Sequence, residues 1–156
     1  MKNIKNAFTM IELVFVIVVL GILSAVAIPK LSGTVEDANL ATGMATVSSI
    51  RSSIASERQS NLVKGLTDYP ALLDDATENT SDEELFDGNT TVDILQYPLY
   101  SGEDSGSWMK TSANGATTTY KYYIGSSKTV VFTYTKATGI FDCDHSTDNC
   151  KLILHH

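Results

Sequence analysis

The sequence is poor in the residues that catalysis and nucleic-acid binding usually need. Its 156 residues include three histidines, and 11 Lys plus Arg stand against 18 Asp plus Glu. Nucleic-acid binding depends on clustered Lys and Arg that contact phosphates, and the sequence has no such cluster. It also has no phosphate loop, no Gly-x-Ser-x-Gly motif and no His-Glu-x-x-His motif. We therefore expect that the protein binds no nucleic acid, catalyses no reaction and uses no cofactor.

Charge is almost missing from one long stretch. Residues 8–28 are apolar apart from a few small polar residues, and their only charged side chain is Glu12. As a helix this run is about 31 Å long, enough to span the hydrocarbon core of a bilayer. Lys2 and Lys5 precede the run and Lys30 follows it, a distribution that favours an N-terminus inside the cell. We expect a single membrane pass with the remaining chain outside.

Cysteine is scarce as well. Cys143 and Cys150 are the only two, and they lie close together near the C-terminus. An even pair of cysteines in an exported segment is typical of a disulfide. We predict a Cys143–Cys150 bond that closes a short loop.

Glu12 decides between two interpretations of the apolar run. An ordinary secretory signal would end at a small-residue cleavage site, and Ala25-Val26-Ala27 before Ile28 provides one. A carboxylate inside a bilayer, however, costs several kcal/mol unless it has a partner, so an intramembrane Glu is a functional candidate. A cationic partner is the expected one.

The residues around Glu12 carry a family resemblance. Ala7-Phe8-Thr9-Met10-Ile11-Glu12-Leu13, preceded by a short basic leader, resembles the cleavage signal of prepilins in the type IV pilin and type II secretion pseudopilin superfamily. The resemblance implies that a prepilin peptidase cuts between Ala7 and Phe8 and that the new amine of Phe8 is N-methylated. It also implies that this amine pairs with Glu12 of a neighbouring subunit during assembly. The family usually has Gly where this chain has Ala7.

The resemblance extends to the helix that follows. Gly21 and Pro29 match the family pattern of a helix-weakening Gly and a Pro near the end of the apolar half, and we expect the helix to bend there. Beyond Pro29, apolar residues recur at helical spacing, namely Leu31, Val35, Ala38, Ala41, Ala45, Ile50, Ile54 and Ala55. The predicted divisions are a leader (1–7), a transmembrane and filament-core helix (8–28), an amphipathic continuation (29–60) and a globular domain (61–156).

The globular domain is expected to be α+β, with the long helix packed on a small antiparallel sheet, as in pilins. Residues 117–124 and 129–135 are rich in Thr, Tyr, Val and Phe and flank a Gly-Ser-Ser-Lys turn, which predicts a hairpin. A third strand is expected after Gly139. Residues 61–112 are rich in turn formers and acids and are interpreted as connecting structure. The inward face of the hairpin is expected to carry Tyr120, Tyr122 and Ile124 from one strand and Val130, Phe132 and Tyr134 from the other.

The C-terminal loop offers a weak metal candidate. Asp142, Asp144 and Asp148 lie at spacings that can point several oxygens at a cation such as calcium. No Gly or terminal Glu completes a calcium-loop pattern, and a solvated acidic turn closed by the disulfide is the competing interpretation. By resemblance, the cysteine pair favours a pilus subunit, since major secretion pseudopilins more often use a calcium site.

Together these features predict a structural subunit of a type IV pilus-like filament. By resemblance, it would wait in the inner membrane with its domain in the periplasm until an inner-membrane assembly platform adds it to a filament of identical or related pilins. One alternative is a pseudopilin that drives protein export by type II secretion. Another is a secreted or membrane-anchored binding domain that never polymerises.

Overall fold

One long helix and two antiparallel sheets make up most of this computed structural model. The structure describes residues 8–88 and 93–154, without the side chains of residues 29–32. The elements, in chain order, are α1 (Met10–Val63), β1 (Glu84–Leu85), β2 (Leu99–Tyr100), β3 (Trp108–Ala113), β4 (Thr117–Tyr123), β5 (Thr129–Thr135), β6 (Ile140–Cys143) and α2 (Asp148–Leu154). The chain divides into two compact units, residues 1–35 and 36–156. The predicted α+β class, a long helix with antiparallel sheet, is confirmed.

The end of α1 is set by a glycine. Gly65 has φ +78°, a conformation that side chains other than glycine rarely adopt. The Leu66 amide donates to Asn61 O at 2.9 Å and the Gly65 amide donates to Leu62 O at 3.0 Å. This is the Schellman pattern, which satisfies the last carbonyls of a helix. The helix therefore ends at Val63, slightly beyond the predicted end of the amphipathic segment.

The main sheet of residues 36–156 has the strand order β3-β4-β5-β6, antiparallel throughout. The predicted hairpin is β4 paired with β5, and Tyr120 lies opposite Phe132. The predicted third strand is β6. All six residues predicted on the inward face are buried: Tyr120, Tyr122, Ile124, Val130, Phe132 and Tyr134. The period of two in these strands was thus a sound guide to the core.

Residues 61–112 contain more structure than predicted. β1, β2 and all of β3 except its last residue, Ala113, lie in this stretch, which the sequence indicates as connecting structure only. Consecutive residues Trp108, Met109 and Lys110 of β3 are all buried, and the register with β4 shifts between Lys110 and Ser112. A strand with an irregular register lacks a clean period of two, so its pattern could not reveal it.

The second half of α1 covers the sheet with a different face from the one predicted. Ile50 and Ile54 are buried as expected, but Ala38, Ala41 and Ala45 are exposed. The buried face continues instead through Val47 and Gly43. A Cβ built on Gly43 would lie 2.5 Å from the ring of Tyr122 and 3.0 Å from Ile153. At Gly43 the helix lies close to Tyr122 of β4 and Ile153 of α2, and a side chain there would collide with them.

The C-terminal residues close one end of this core. The predicted disulfide joins Cys143 of β6 to Cys150 of α2, and both Cys150 and Ile153 are buried. By the chain-entropy model such a short loop stabilises the fold by roughly 2 to 2.5 kcal/mol. The sequence indicated a turn here, whereas the structure has a short helix that adds an apolar side chain to the core.

We predict that Gly43→Ala destabilises residues 36–156 by about 1 to 3 kcal/mol, because an added methyl forces the packed ring of Tyr122 to move. The measurement is urea unfolding of the detergent-solubilised chain, followed by the fluorescence of Trp108, the only tryptophan. Gly33→Ala is the matched control, since a Cβ at Gly33 meets nothing within 4 Å. Equal unfolding midpoints for Gly43→Ala and wild type would contradict the close approach.

Candidate assembly segment

The first part of α1 exposes apolar side chains on every side. Phe8 is 80 % exposed, and the larger apolar residues from Met10 to Ile28 are exposed between 36 % and 83 %. The stretch is long and apolar enough to cross a membrane. A helix that is hydrophobic all round is stable only when another apolar phase or other chains surround it. In the described structure the chain's own residues leave this surface uncovered.

Glu12 interrupts this surface in the first turn of α1. Thr9 precedes the helix as its N-cap, and the Glu12 amide donates to Thr9 Oγ1 at 3.3 Å. The Thr9 hydroxyl in turn donates to Glu12 Oε2 at 3.5 Å. Among the ion pairs formed by the described residues, none involves Glu12. Its carboxylate therefore contacts the capping hydroxyl of Thr9 and meets no cation within the described part of its own chain.

Thr9 is a helix-capping residue that the sequence interpretation missed. Ser or Thr followed three residues later by Glu, just before an apolar run, is the signature of a capping box, and Thr9-Met10-Ile11-Glu12 fits it. In the full form of this motif the Glu side chain returns to the N-cap amide, whereas here it contacts the hydroxyl. The motif gives Glu12 a structural role besides the assembly role implied by resemblance.

The structure describes three of the other four residues that the sequence predicted to matter in this segment: Phe8, Gly21 and Pro29. Ala7 and the rest of the leader lie outside the described residues. Phe8 immediately precedes the capped start of the helix. Backbone helix continues through Gly21 and Pro29 within α1, and the predicted bends stay predictions. A Cβ on Gly21 would meet nothing within 4 Å, so its lack of a side chain serves no contact within the described chain.

The acidic residues of the disulfide loop do not converge. Asp142 Oδ1 lies 2.8 Å from Arg51 Nη2, and Asp142 Oδ2 lies 3.0 Å from His145 Nε2. Asp144 Oδ1 accepts from the Ser146 amide at 2.9 Å, and this hydrogen bond is the main cause that lowers the pKa of Asp144. Among the described residues, no group of three or more His, Cys, Asp or Glu side chains is arranged to hold a metal ion.

Asp148, the third candidate metal ligand, is the first residue of α2, and its Oδ1 lies 3.4 Å from Lys151 Nζ. An acid in the first turn of a helix interacts favourably with the helix dipole. Each of the three aspartates thus has a protein partner of its own, and the calcium hypothesis stays untested.

Comparison with known families adds one finding. Residues 2–28 match the model of the prokaryotic N-terminal methylation motif. No curated protein and no solved structure gives a significant match. The N-terminal segment therefore carries the prepilin signal of type IV pilins and pseudopilins. This signal includes the candidate cleavage position, Glu12 and the whole exposed apolar run, but it leaves the domain beyond residue 28 unmatched.

Since Asp142, Asp144 and Asp148 each have a partner within the loop, on α1 or on α2, we predict that calcium leaves the unfolding midpoint of residues 36–156 unchanged. The experiment compares urea unfolding of the full chain with millimolar calcium and with a chelator, again by Trp108 fluorescence. Specific binding to the folded state would raise the midpoint as calcium rises. If the midpoint did rise, and Asp144→Asn abolished the rise, the loop would be a calcium site.

Proposed function

We propose that this chain is a structural subunit of a type IV pilus-like filament. It is inserted in the inner membrane as a prepilin, cleaved between Ala7 and Phe8, methylated at Phe8 and polymerised through its N-terminal helix. The observation that carries the proposal is the exposed apolar surface of α1 with a single carboxylate near its start, in a segment that matches the methylation motif.

The apolar surface alone does not decide how the helices pack against one another. Moving apolar helices from lipid to contacts with other apolar helices leaves their surface out of water throughout, so the helices have little preference for one axial offset. A single charge pair supplies that preference, much as one buried polar residue sets the register of a coiled coil. Glu12 provides the anion, and the amine created at Phe8 by cleavage provides the cation.

Two kinds of partner act on the chain in this proposal. A prepilin peptidase recognises the leader and exposes the Phe8 amine. An inner-membrane assembly platform then moves the processed subunit into a filament of identical or related pilins, in the periplasm or on the cell surface.

The disulfide favours a pilus over a secretion pseudopilus. Cys143–Cys150 joins β6 to α2, and this cross-link resembles the disulfide-bounded C-terminal region of many type IV pilins, whereas major secretion pseudopilins more often rely on a calcium site. Deleting the gene distinguishes the two candidates: loss of surface filaments supports the pilus, while loss of protein export with filaments intact supports the pseudopilin.

The mature N-terminus is the most direct test of the proposal. We predict that the protein purified from cells begins at Phe8 and that this residue carries a methyl group, as determined by N-terminal peptide mass spectrometry. A start at Ile28 would identify an ordinary secretory signal. A start at Met1 would identify a plain membrane anchor. Either of these two results would rule out prepilin processing.

We further predict that Glu12→Gln reduces filament yield by about tenfold or more, because the unpaired amine of the neighbouring subunit then costs about 3 to 5 kcal/mol on burial. Gln is also a capping-box residue, so this change removes the charge and preserves the helix start. Yield is measured by shearing filaments from cells and immunoblotting.

Glu36→Gln is the matched control for the loss of one carboxylate. Glu36 forms an exposed ion pair with Lys128 in residues 36–156, and such pairs contribute little. We expect normal filaments from this variant. Normal filaments from Glu12→Gln as well would show that the Glu12 charge has no role in assembly.

A further inference from the structure

A charged pair lies in the interior of residues 36–156, where the proposed assembly does not use it. Lys110 Nζ is 2.9 Å from Asp74 Oδ1, and the two side chains are 6 % and 0 % exposed. Asp74 belongs to the connection between α1 and β1, and Lys110 belongs to β3. A buried ion pair is weak evidence of added stability, since desolvation offsets most of the attraction. The pair is therefore a candidate for another role.

The second oxygen of the same carboxyl group receives two hydrogen bonds. Tyr120 OH donates to Asp74 Oδ2 at 2.7 Å and the Phe86 amide donates to it at 3.3 Å. Tyr120 lies directly opposite Lys110 in the β3-β4 register. Burial, followed by the nearby Asp74 charge, raises the pKa of the Tyr120 hydroxyl, which keeps its proton available for donation.

The Phe86 amide is held in place by an unusual backbone conformation. Phe86 has φ +60°, which is a genuine outlier for a bulky residue. Strained conformations of this kind persist where the surrounding structure holds them, and they concentrate at functional sites. Here the residue with the strained backbone is the one whose N–H group donates to the Asp74 carboxyl.

The surroundings exclude water. Phe86, Trp108, Tyr120 and Phe141 are all buried, and the Phe86 and Tyr120 rings lie 4.7 Å apart between centroids. Separate charges are costly in such a dry interior. Transfer of one proton along the Lys110–Asp74 hydrogen bond removes both charges and leaves a neutral amine in contact with a carboxylic acid.

We propose that Lys110 and Asp74 condense to an intramolecular amide, an isopeptide bond. The Nζ lone pair attacks Cγ of the protonated Asp74 carboxyl, and the negative charge that develops on Oδ2 is stabilised by Tyr120 OH and the Phe86 amide, as in an oxyanion hole. Nζ passes a proton to Oδ1, the Cγ–Oδ1 bond breaks, and Oδ1 leaves as water. One C–N bond forms, one C–O bond breaks, and no oxidant, reductant or other reactant is needed.

The bond joins Asp74, in the segment that follows α1, to Lys110 in β3 of the main sheet. Together with Cys143–Cys150 it gives residues 36–156 two covalent cross-links. The amide differs from the disulfide because reductants do not break it.

Trypsin distinguishes the linked chain from the unlinked one. The sequence has no Lys or Arg between Lys64 and Lys110, so an unlinked chain yields peptides 65–110 and 111–121. An amide at Lys110 blocks cleavage there. We expect the full-length protein, purified from membranes and reduced, to yield residues 65–121 as one peptide, lighter than its sequence by the mass of one water. Peptides 65–110 and 111–121 at their unmodified masses would overturn the proposal.

Three variants separate the chemistry from the fold. Lys110→Arg keeps a positive charge beside Asp74 but removes the nucleophilic amine, and we expect no loss of water. Tyr120→Phe should slow linkage by about 100-fold, the usual effect of losing one oxyanion-hole donor, measured as the linked fraction against time after synthesis. Tyr122→Phe is its control, because Tyr122 OH donates to Asn39 O instead. Linkage at the wild-type rate in Tyr120→Phe would refute the role of the hydroxyl.

Discussion

The surface of residues 8–28 cannot remain in water, and most of the biology proposed here follows from that constraint. Its apolar side chains are exposed on every side of α1, so the segment needs lipid or other helices around it. Either environment satisfies the hydrophobic effect equally well. The choice between anchoring and assembly therefore depends on the one charged side chain of the segment, and the apolar area alone does not determine it.

On the proposed function, Glu12 has two physical roles that act at different times. Within its own chain it belongs to the cap of α1, through the contacts with Thr9. Between chains it offers the only negative charge on an otherwise apolar surface. Capping satisfies amide groups at the helix start and is needed in the membrane as well as in a filament. In the proposed assembly, pairing with the new amine becomes available only after the leader is removed, so processing itself changes what the carboxylate can bind.

The sequence was most informative where one physical rule acted alone. The apolar run and the alternating strands β4 and β5 each follow one period or one composition, and the structure has a helix in the first and the predicted hairpin in the second. Prediction failed where a second constraint intervened. The buried face of α1 passes through Gly43, which is invisible to an apolar pattern because its role is to allow close contact with Tyr122. Asp74 and Lys110 are typical surface residues by type, and only the fold shows that they meet in the interior.

The domain must fold without help from the segment that precedes it. On the proposed function, residues 8–28 exchange lipid for neighbouring helices, whereas residues 36–156 face water before and after assembly. Their stability must then be internal. The arrangement fits: aromatic side chains fill the core, and of the described side-chain atoms only Arg58 Nη1 and Asp87 Oδ1 are buried without a hydrogen bond. The connecting segment that follows α1 brings polar backbone groups to the core, and these groups are hydrogen-bonded. The Pro70 carbonyl, for example, accepts a hydrogen bond from the Tyr134 hydroxyl at 2.7 Å. Burial raises the pKa of that hydroxyl to about 12, so the contact persists over the whole range of pH that a filament outside the cell encounters.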